Sequence, residues 1–116
     1  MRELTATQIV VLERIVANGF EPIMIPLYGN CIGIRRNGFA ALLEPIQDGG
    51  WRIFGQPCYV IDDSLSVLVR RQGREWFVFK RKQVEATPEM LAERVRFSED
   101  LSRLLFTPAP QGPQQT

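Results

Sequence analysis

In LSVLVRRQGREWFVFKRK, residues 65–82, two apolar runs flank Gln72-Gly73, and the way they pair decides the architecture. A two-residue loop at Gln72-Gly73 sets Arg70 opposite Glu75, Val69 opposite Trp76, Leu68 opposite Phe77 and Val67 opposite Val78. Side chains alternate across a strand, so Val67, Val69, Trp76 and Val78 share one face while Leu68, Phe77 and Phe79 share the other. Both faces are then apolar in the middle. A sheet of that kind is expected to carry a helix on one side and a folded-over part of the sheet on the other.

Upstream of this hairpin, turn signals recur roughly every eight to twelve residues from Pro22 to Lys82, the punctuation of an antiparallel meander. Pro22 to Leu27 reads as an edge strand because its two prolines cannot donate to a ladder, and Tyr28-Gly29-Asn30 turns the chain. Cys31 to Arg36 pairs with Phe39 to Glu44 through Asn37-Gly38, a strong hairpin signal. Asp48-Gly49-Gly50 leads into Trp51 to Phe54, and Gly55-Gln56-Pro57 is expected to turn again into Cys58 to Ile61. Asp62-Asp63 then leads to Leu65 to Arg71, and Arg74 to Lys82 closes a meander of six or seven strands.

A helix is expected on either side of the meander. Thr5 and Gln8 form a capping box, Leu4 and Ile9 occupy the positions of a hydrophobic staple, and Asn18-Gly19 is a helix stop. Ile9, Leu12 and Val16 are the expected inward face, widened by Val11 and Ile15. Thr87 caps the second helix with Pro88 at its first position, and the helix is expected to run to about Phe106. Met90, Phe97, Leu101 and Leu104, with Leu91, Val95 and Leu105 beside them, supply its apolar face. These faces leave room for a homodimer.

The fold class is therefore α+β: an N-terminal helix, a strongly bent antiparallel meander of six or seven strands and a C-terminal helix. The bent sheet is expected to be a half-barrel, or else similar in element order alone to the pleckstrin-homology type of fold, although a leading helix is unlike the simplest form of that fold. Residues 1–106 are expected to form one globular domain. The Pro/Gln-rich stretch 107–116 cannot bury apolar surface and is expected to be disordered.

Composition narrows the functional classes. The 116 residues are 45% hydrophobic, enough for one core. Fourteen basic and thirteen acidic side chains give a net charge of +1, far from a general nucleic-acid binder, so electrostatic function has to arise from local segregation. With two cysteines and no histidine, the chain cannot complete a zinc site of four Cys or His ligands. Neither metal nor cofactor is expected. No apolar run approaches the roughly 20 residues that span a bilayer, and no apolar leader follows Met1-Arg2-Glu3-Leu4, so the expectation is a cytosolic protein without a membrane partner.

Gly29-Asn30-Cys31-Ile32-Gly33 has the glycine spacing of a nucleophile elbow. An elbow, however, is a strand, a strained turn and a helix with a base nearby. Here the turn precedes strand chemistry, and no histidine exists to hold Cys31 as thiolate. Asp62-Asp63 followed by Ser64 reads as a turn, not an acid–base pair. No catalytic residue is assigned, and the chain is read as a non-enzyme.

The arginines carry the functional reading. Alternate turns of a simple meander lie at one end, which places Arg35, Arg36, Arg70, Arg71 and Arg74 on one rim and Asp48, Asp62 and Asp63 on the other. Lys80, Arg81 and Lys82 return toward the acidic end. Residues 69–83 hold six basic side chains and one acidic, so the near-neutral total conceals a local excess. Arginine forks suit carboxylate and phosphate geometry, and Trp76 nearby supplies a stacking surface. The expectation is a protein-interaction or adaptor domain that binds an anionic partner at this rim, a protein ahead of a nucleic acid. Two rivals remain: single-stranded nucleic-acid binding at the same arginines, and an apolar small-molecule pocket inside the bent sheet lined by Trp51, Phe54 and Tyr59.

Overall fold

A computed structural model describes residues 3–23 and 31–106. The proposed turn at Tyr28-Gly29-Asn30, most of the strand expected over Pro22 to Leu27 and the tail from Thr107 lie outside these residues. The order of elements is α1 (Ala6–Ala17), β1 (Glu21–Ile23), β2 (Ile32–Arg36), β3 (Phe39–Pro45), β4 (Trp51–Ile61), β5 (Ser64–Leu65), β6 (Val67–Arg71), β7 (Arg74–Phe79), β8 (Lys82–Glu85) and α2 (Pro88–Phe106). The strands form a curled five-stranded antiparallel sheet, β1-β2-β3-β4-β5, which is a half-barrel, and a three-stranded sheet, β6-β7-β8.

The described residues thus hold eight strands, and the differences from the expected six or seven have local causes. Gly55-Gln56-Pro57 is not a turn: β4 runs through it. Cys58 pairs with Ala40 and Phe54 with Leu42, so three residues on β4 bulge out opposite Ala41. Gly55 adopts φ +76°, which an L side chain disfavours, and the bulge bends the sheet without ending it. The run 65–71 breaks at Ser66, whose N–H and hydroxyl both donate to the Tyr59 carbonyl (2.9 and 2.7 Å), and the chain passes there from one sheet to the other. The run 74–82 also breaks, because Lys80 takes φ 56° and reverses the chain into β8. Within the hairpin the pairing is Arg70 with Glu75, Val69 with Trp76, Leu68 with Phe77 and Val67 with Val78, as the two-residue loop requires.

One core joins both helices and both sheets. Phe77 on β7 stacks on Tyr59 of β4 (5.3 Å) and meets Phe39 of β3 edge-on (5.7 Å), so the small sheet lies over the large one. On α2, Phe97, Leu101 and Leu104 face inward, and Phe97 meets Phe20 edge-on at 5.3 Å. The α2 cap is formed by Thr87, whose hydroxyl accepts the Met90 N–H (3.1 Å).

The inward face of α1 is the expected one at Val11, Leu12 and Ile15 but not at Ile9 and Val16. Ile9 and Val16 are 44% and 43% exposed, while Gln8, Val11 and Ile15 are buried. The reason is Gln8. Its Oε1 accepts from Thr5 N–H in the capping box, its Nε2 donates to the carbonyls of Ile46 and Gly50, and its own carbonyl accepts from Trp51 Nε1, each at 2.9–3.0 Å. Four hydrogen bonds offset the burial of a polar side chain and its backbone, and they orient the helix by that side chain rather than by its most apolar stripe. Leu4, Leu12, Val11 and Ile15 complete the contact with the core.

Candidate partner-binding face

Period-two alternation and the observed pairing sort the second sheet into two faces. Arg70, Leu68, Glu75 and Phe77 lie on the side that meets the large sheet. Val67, Val69 and Arg71 of β6, Arg74, Trp76 and Val78 of β7, and Gln83 and Glu85 of β8 share the opposite side. The expectation that both faces are buried is corrected here. Among the described residues nothing covers the second face: Val67 is 62% exposed, and Val69, Trp76 and Val78 are half-buried. α2 packs on α1 and on β4, and its first turn, at Pro88 and Leu91, borders the end of the small sheet.

At the open end of that face Arg71 is paired across the ladder with Arg74, and Trp76 is the next same-face residue on β7. Arg71 Nη1 donates to Gln83 Oε1 (3.2 Å), and Arg74 Nη1 stands 3.9 Å from Glu85 Oε2. Together with Gln72, Trp76 and Gln83 these arginines line a shallow surface concavity of about 520 Å³. Arg70, whose side chain alternates to the other face, makes no ion pair among the described residues and borders a second hollow at the sheet end together with Arg74, Glu85, Pro88 and Leu91.

Arg35 and Arg36 have different surroundings. Arg35 pairs with Glu21 on β1 (3.1 Å). Arg36 is only 18% exposed, lies 4.5 Å above the Phe20 ring and donates to Asp100 of α2 (2.9 Å). The hydrogen bond from Arg36 is the main cause holding the Asp100 carboxyl below the ordinary carboxylate range; the charges of Arg36 and Arg103 and a hydrogen bond from Arg103 add to it, and burial opposes it. Asn37 Nδ2 donates to Glu93 of the same helix (2.9 Å). The structure therefore brings Arg71, Arg74 and Trp76 together on one surface and ties Arg35 and Arg36 to other elements.

The sorting of acidic residues by rim is also corrected. Because β4 runs on through Gly55 to Pro57, its far end returns to the Asn37-Gly38 turn: Tyr59 pairs with Phe39, and Val60 N–H donates to the Gly38 carbonyl (2.9 Å). Asp62 and Asp63 consequently lie at the same end of the large sheet as Arg35 and Arg36, opposite Asp48. Both take left-handed φ, 53° and 59°, in the two-residue turn that joins β4 to β5. Lys82 Nζ reaches Asp62 at 2.9 Å.

Cys31 leads into β2 and not into a helix, and it packs beside Ala40, Leu42 and Ile23 on the outer side of the large sheet. Burial raises its thiol pKa above the ordinary value, the Glu44 carboxylate pushes the same way, and Arg52 opposes them. Such a thiol is held protonated, contrary to what a nucleophile needs. Of the proposed pocket lining, Trp51 and Tyr59 belong to the core, and Phe54 borders a surface groove. Among the described residues no group of three or more Cys, Asp or Glu side chains gathers as metal ligands do, and no helix is long and apolar enough to cross a membrane.

No protein-family model matches the chain, and neither a curated protein nor a solved structure matches it. The expected similarity to the pleckstrin-homology type of fold thus gains no support from a matching structure. Alternation in the hairpin sorted its residues correctly into two faces, although both faces were expected to be buried. Sequence reasoning missed Gln8 as an anchor and Arg36 as a core-edge residue, although Phe20 and Asp100 carry no local signal that would have linked them to Arg36.

Proposed function

We propose that this protein is a non-catalytic protein-interaction domain that takes an acidic segment of a partner protein on the open face of its small sheet. The observation that carries the reading is the uncovered face itself, where Trp76 sits beside the Arg71–Arg74 pair and continues into exposed Val67. A half-buried tryptophan next to two guanidinium groups matches the residue types that anchor interfaces, and the local excess of basic charge over residues 69–83 selects an acidic partner. A protein suits the face better than a nucleic acid does. Its arginines are few and share the surface with Glu85, whereas strand binding to phosphates wants a continuous basic track. The unpaired thiols Cys31 and Cys58 fit a reducing, cytosolic setting.

The test is a titration followed by tryptophan fluorescence, since Trp76 is half-exposed and Trp51 is buried. A peptide alternating glutamate and leucine is expected to bind saturably at physiological salt, and the double variant Arg71→Ala, Arg74→Ala is expected to weaken it tenfold or more. Arg35→Ala is expected to leave the affinity unchanged. Equal affinity for the wild type and the double variant rules out this face. Tighter binding of a ten-nucleotide oligothymidine, with a log–log salt slope of about −0.7 per phosphate contacted, moves the reading to single-stranded nucleic acid.

A further inference from the structure

The bulge in β4 does more than bend the sheet. Where residues 55–57 swing away from β3, a half-open groove of about 510 Å³ lies between β4, the crossing at Ser66 and α2. Its walls are Leu42, Leu65, Val67 and Leu68, with Phe54 on one side still 42% exposed despite its apolar ring. A volume in the range of roughly 300–1,000 Å³ is that of small-molecule sites.

Two polar groups at the groove are already satisfied by each other and by the backbone. Ser66 Oγ donates to the Tyr59 carbonyl, and Cys58 Sγ lies 3.5 Å from the same hydroxyl. Arg94 is different. It projects from α2 to the groove wall, half-buried, with Nε donating to the Pro57 carbonyl (2.9 Å) and Nη2 approaching Gln56 Oε1 (3.5 Å). Those partners are neutral, and among the described residues no carboxylate pairs with it; its neighbour Glu93 pairs with Arg96 instead. A half-buried guanidinium at the side of an apolar groove, positioned by the bulge and without a carboxylate partner among the described residues, is arranged to receive an anion.

We propose that this groove binds a small monocarboxylic acid with a hydrocarbon body, the body held among Leu42, Leu65, Leu68 and Phe54 and the carboxylate on Arg94. The site shares Val67 with the edge of the Arg71–Trp76 face, but its carboxylate contact at Arg94 does not involve that face's arginines.

The full chain is titrated with octanoate, 1-octanol and octylamine, followed by NMR of the methyl groups. Octanoate is expected to saturate shifts at Leu42, Leu65 and Leu68 and to bind at least tenfold tighter than octanol, with octylamine weaker still. Arg94→Gln is expected to abolish the preference for octanoate, while Arg96→Gln, on the same helix but paired with Glu93, preserves it. Equal affinity for octanoate and octanol, shifts that map elsewhere, or an absence of saturation each overturns the proposal. Because the three ligands are compared on the wild-type protein, the outcome holds even if the Arg94 variant fails to fold.

Discussion

The hairpins at Asn37-Gly38 and Gln72-Gly73 look alike in sequence and differ in use. Each has two arginines before an identical kind of turn, with Asn37 and Gln72 both at φ 53° and a glycine following at φ +87° or +78°. In the first, Arg36 is laid over Phe20 and bonded to Asp100, Arg35 pairs with Glu21, and Asn37 reaches Glu93. In the second, Arg70 makes no ion pair among the described residues, and Arg71 and Arg74 have only loose surface partners. The arginines before the first turn are therefore tied to Glu21, Phe20 and Asp100, whereas those of the second keep only surface contacts. Local composition does not distinguish the two cases.

The largest effect that would separate the hairpins is on stability. Arg36→Ala removes a half-buried cation–π contact and its packing and is expected to cost about 2 kcal/mol in urea unfolding. Acid sharpens the test. Asp100 has its folded pKa below the ordinary value near 3.8, so its contribution is complete above that value and is lost as pH falls through the lower, folded one. The gap in stability between wild type and Arg36→Ala is accordingly expected to narrow below about pH 4. A gap that stays constant into acid would mean that Asp100 is not the partner that matters.

Next in size is the pair of turn glycines. A Cβ at position 38 would lie 3.0 Å from the Tyr59 ring, which is itself wedged against Phe39 and Phe77, whereas a Cβ at position 73 meets nothing within 4 Å. Both glycines have positive φ, so each alanine variant loses about 1 kcal/mol from backbone strain. Gly38→Ala is expected to lose roughly a further 1 kcal/mol by displacing Tyr59. Thermal unfolding of the two variants side by side checks this, and equal losses would show that the Tyr59 ring yields freely.

The smallest expected effect is that of Arg71→Ala, within about 0.5 kcal/mol of wild type, because its bond to Gln83 is solvated. Stability unchanged while peptide affinity falls is the combination that marks a binding residue. A loss as large as that of Arg36→Ala would erase the contrast between the two hairpins.

Much of this architecture was legible in the sequence because it depends on neighbours in the chain. The Thr5–Gln8 capping box, the Asn18-Gly19 stop, Thr87-Pro88 at the start of α2 and the pairing across Gln72-Gly73 each follow from a few consecutive residues whose φ preferences and hydrogen bonds are local. The strand breaks at Ser66 and Lys80 and the continuity of β4 through Pro57 were not legible. There, a local turn signal competes with pairing to a distant strand, and the distant strand decides which prevails.

The same division holds for the candidate sites. Sequence alone determined that basic charge collects over residues 69–83, that Trp76 shares a face with Val67 and Val69, and that no histidine is present to activate Cys31. Only the tertiary structure decided that α1 turns on Gln8, that Arg36 belongs to α2, that one face of the small sheet stays open, and that Arg94 stands beside a groove. The reason is physical: propensity and alternation act over a few residues, whereas burial and the pairing of charges are settled by whichever distant element arrives to cover them.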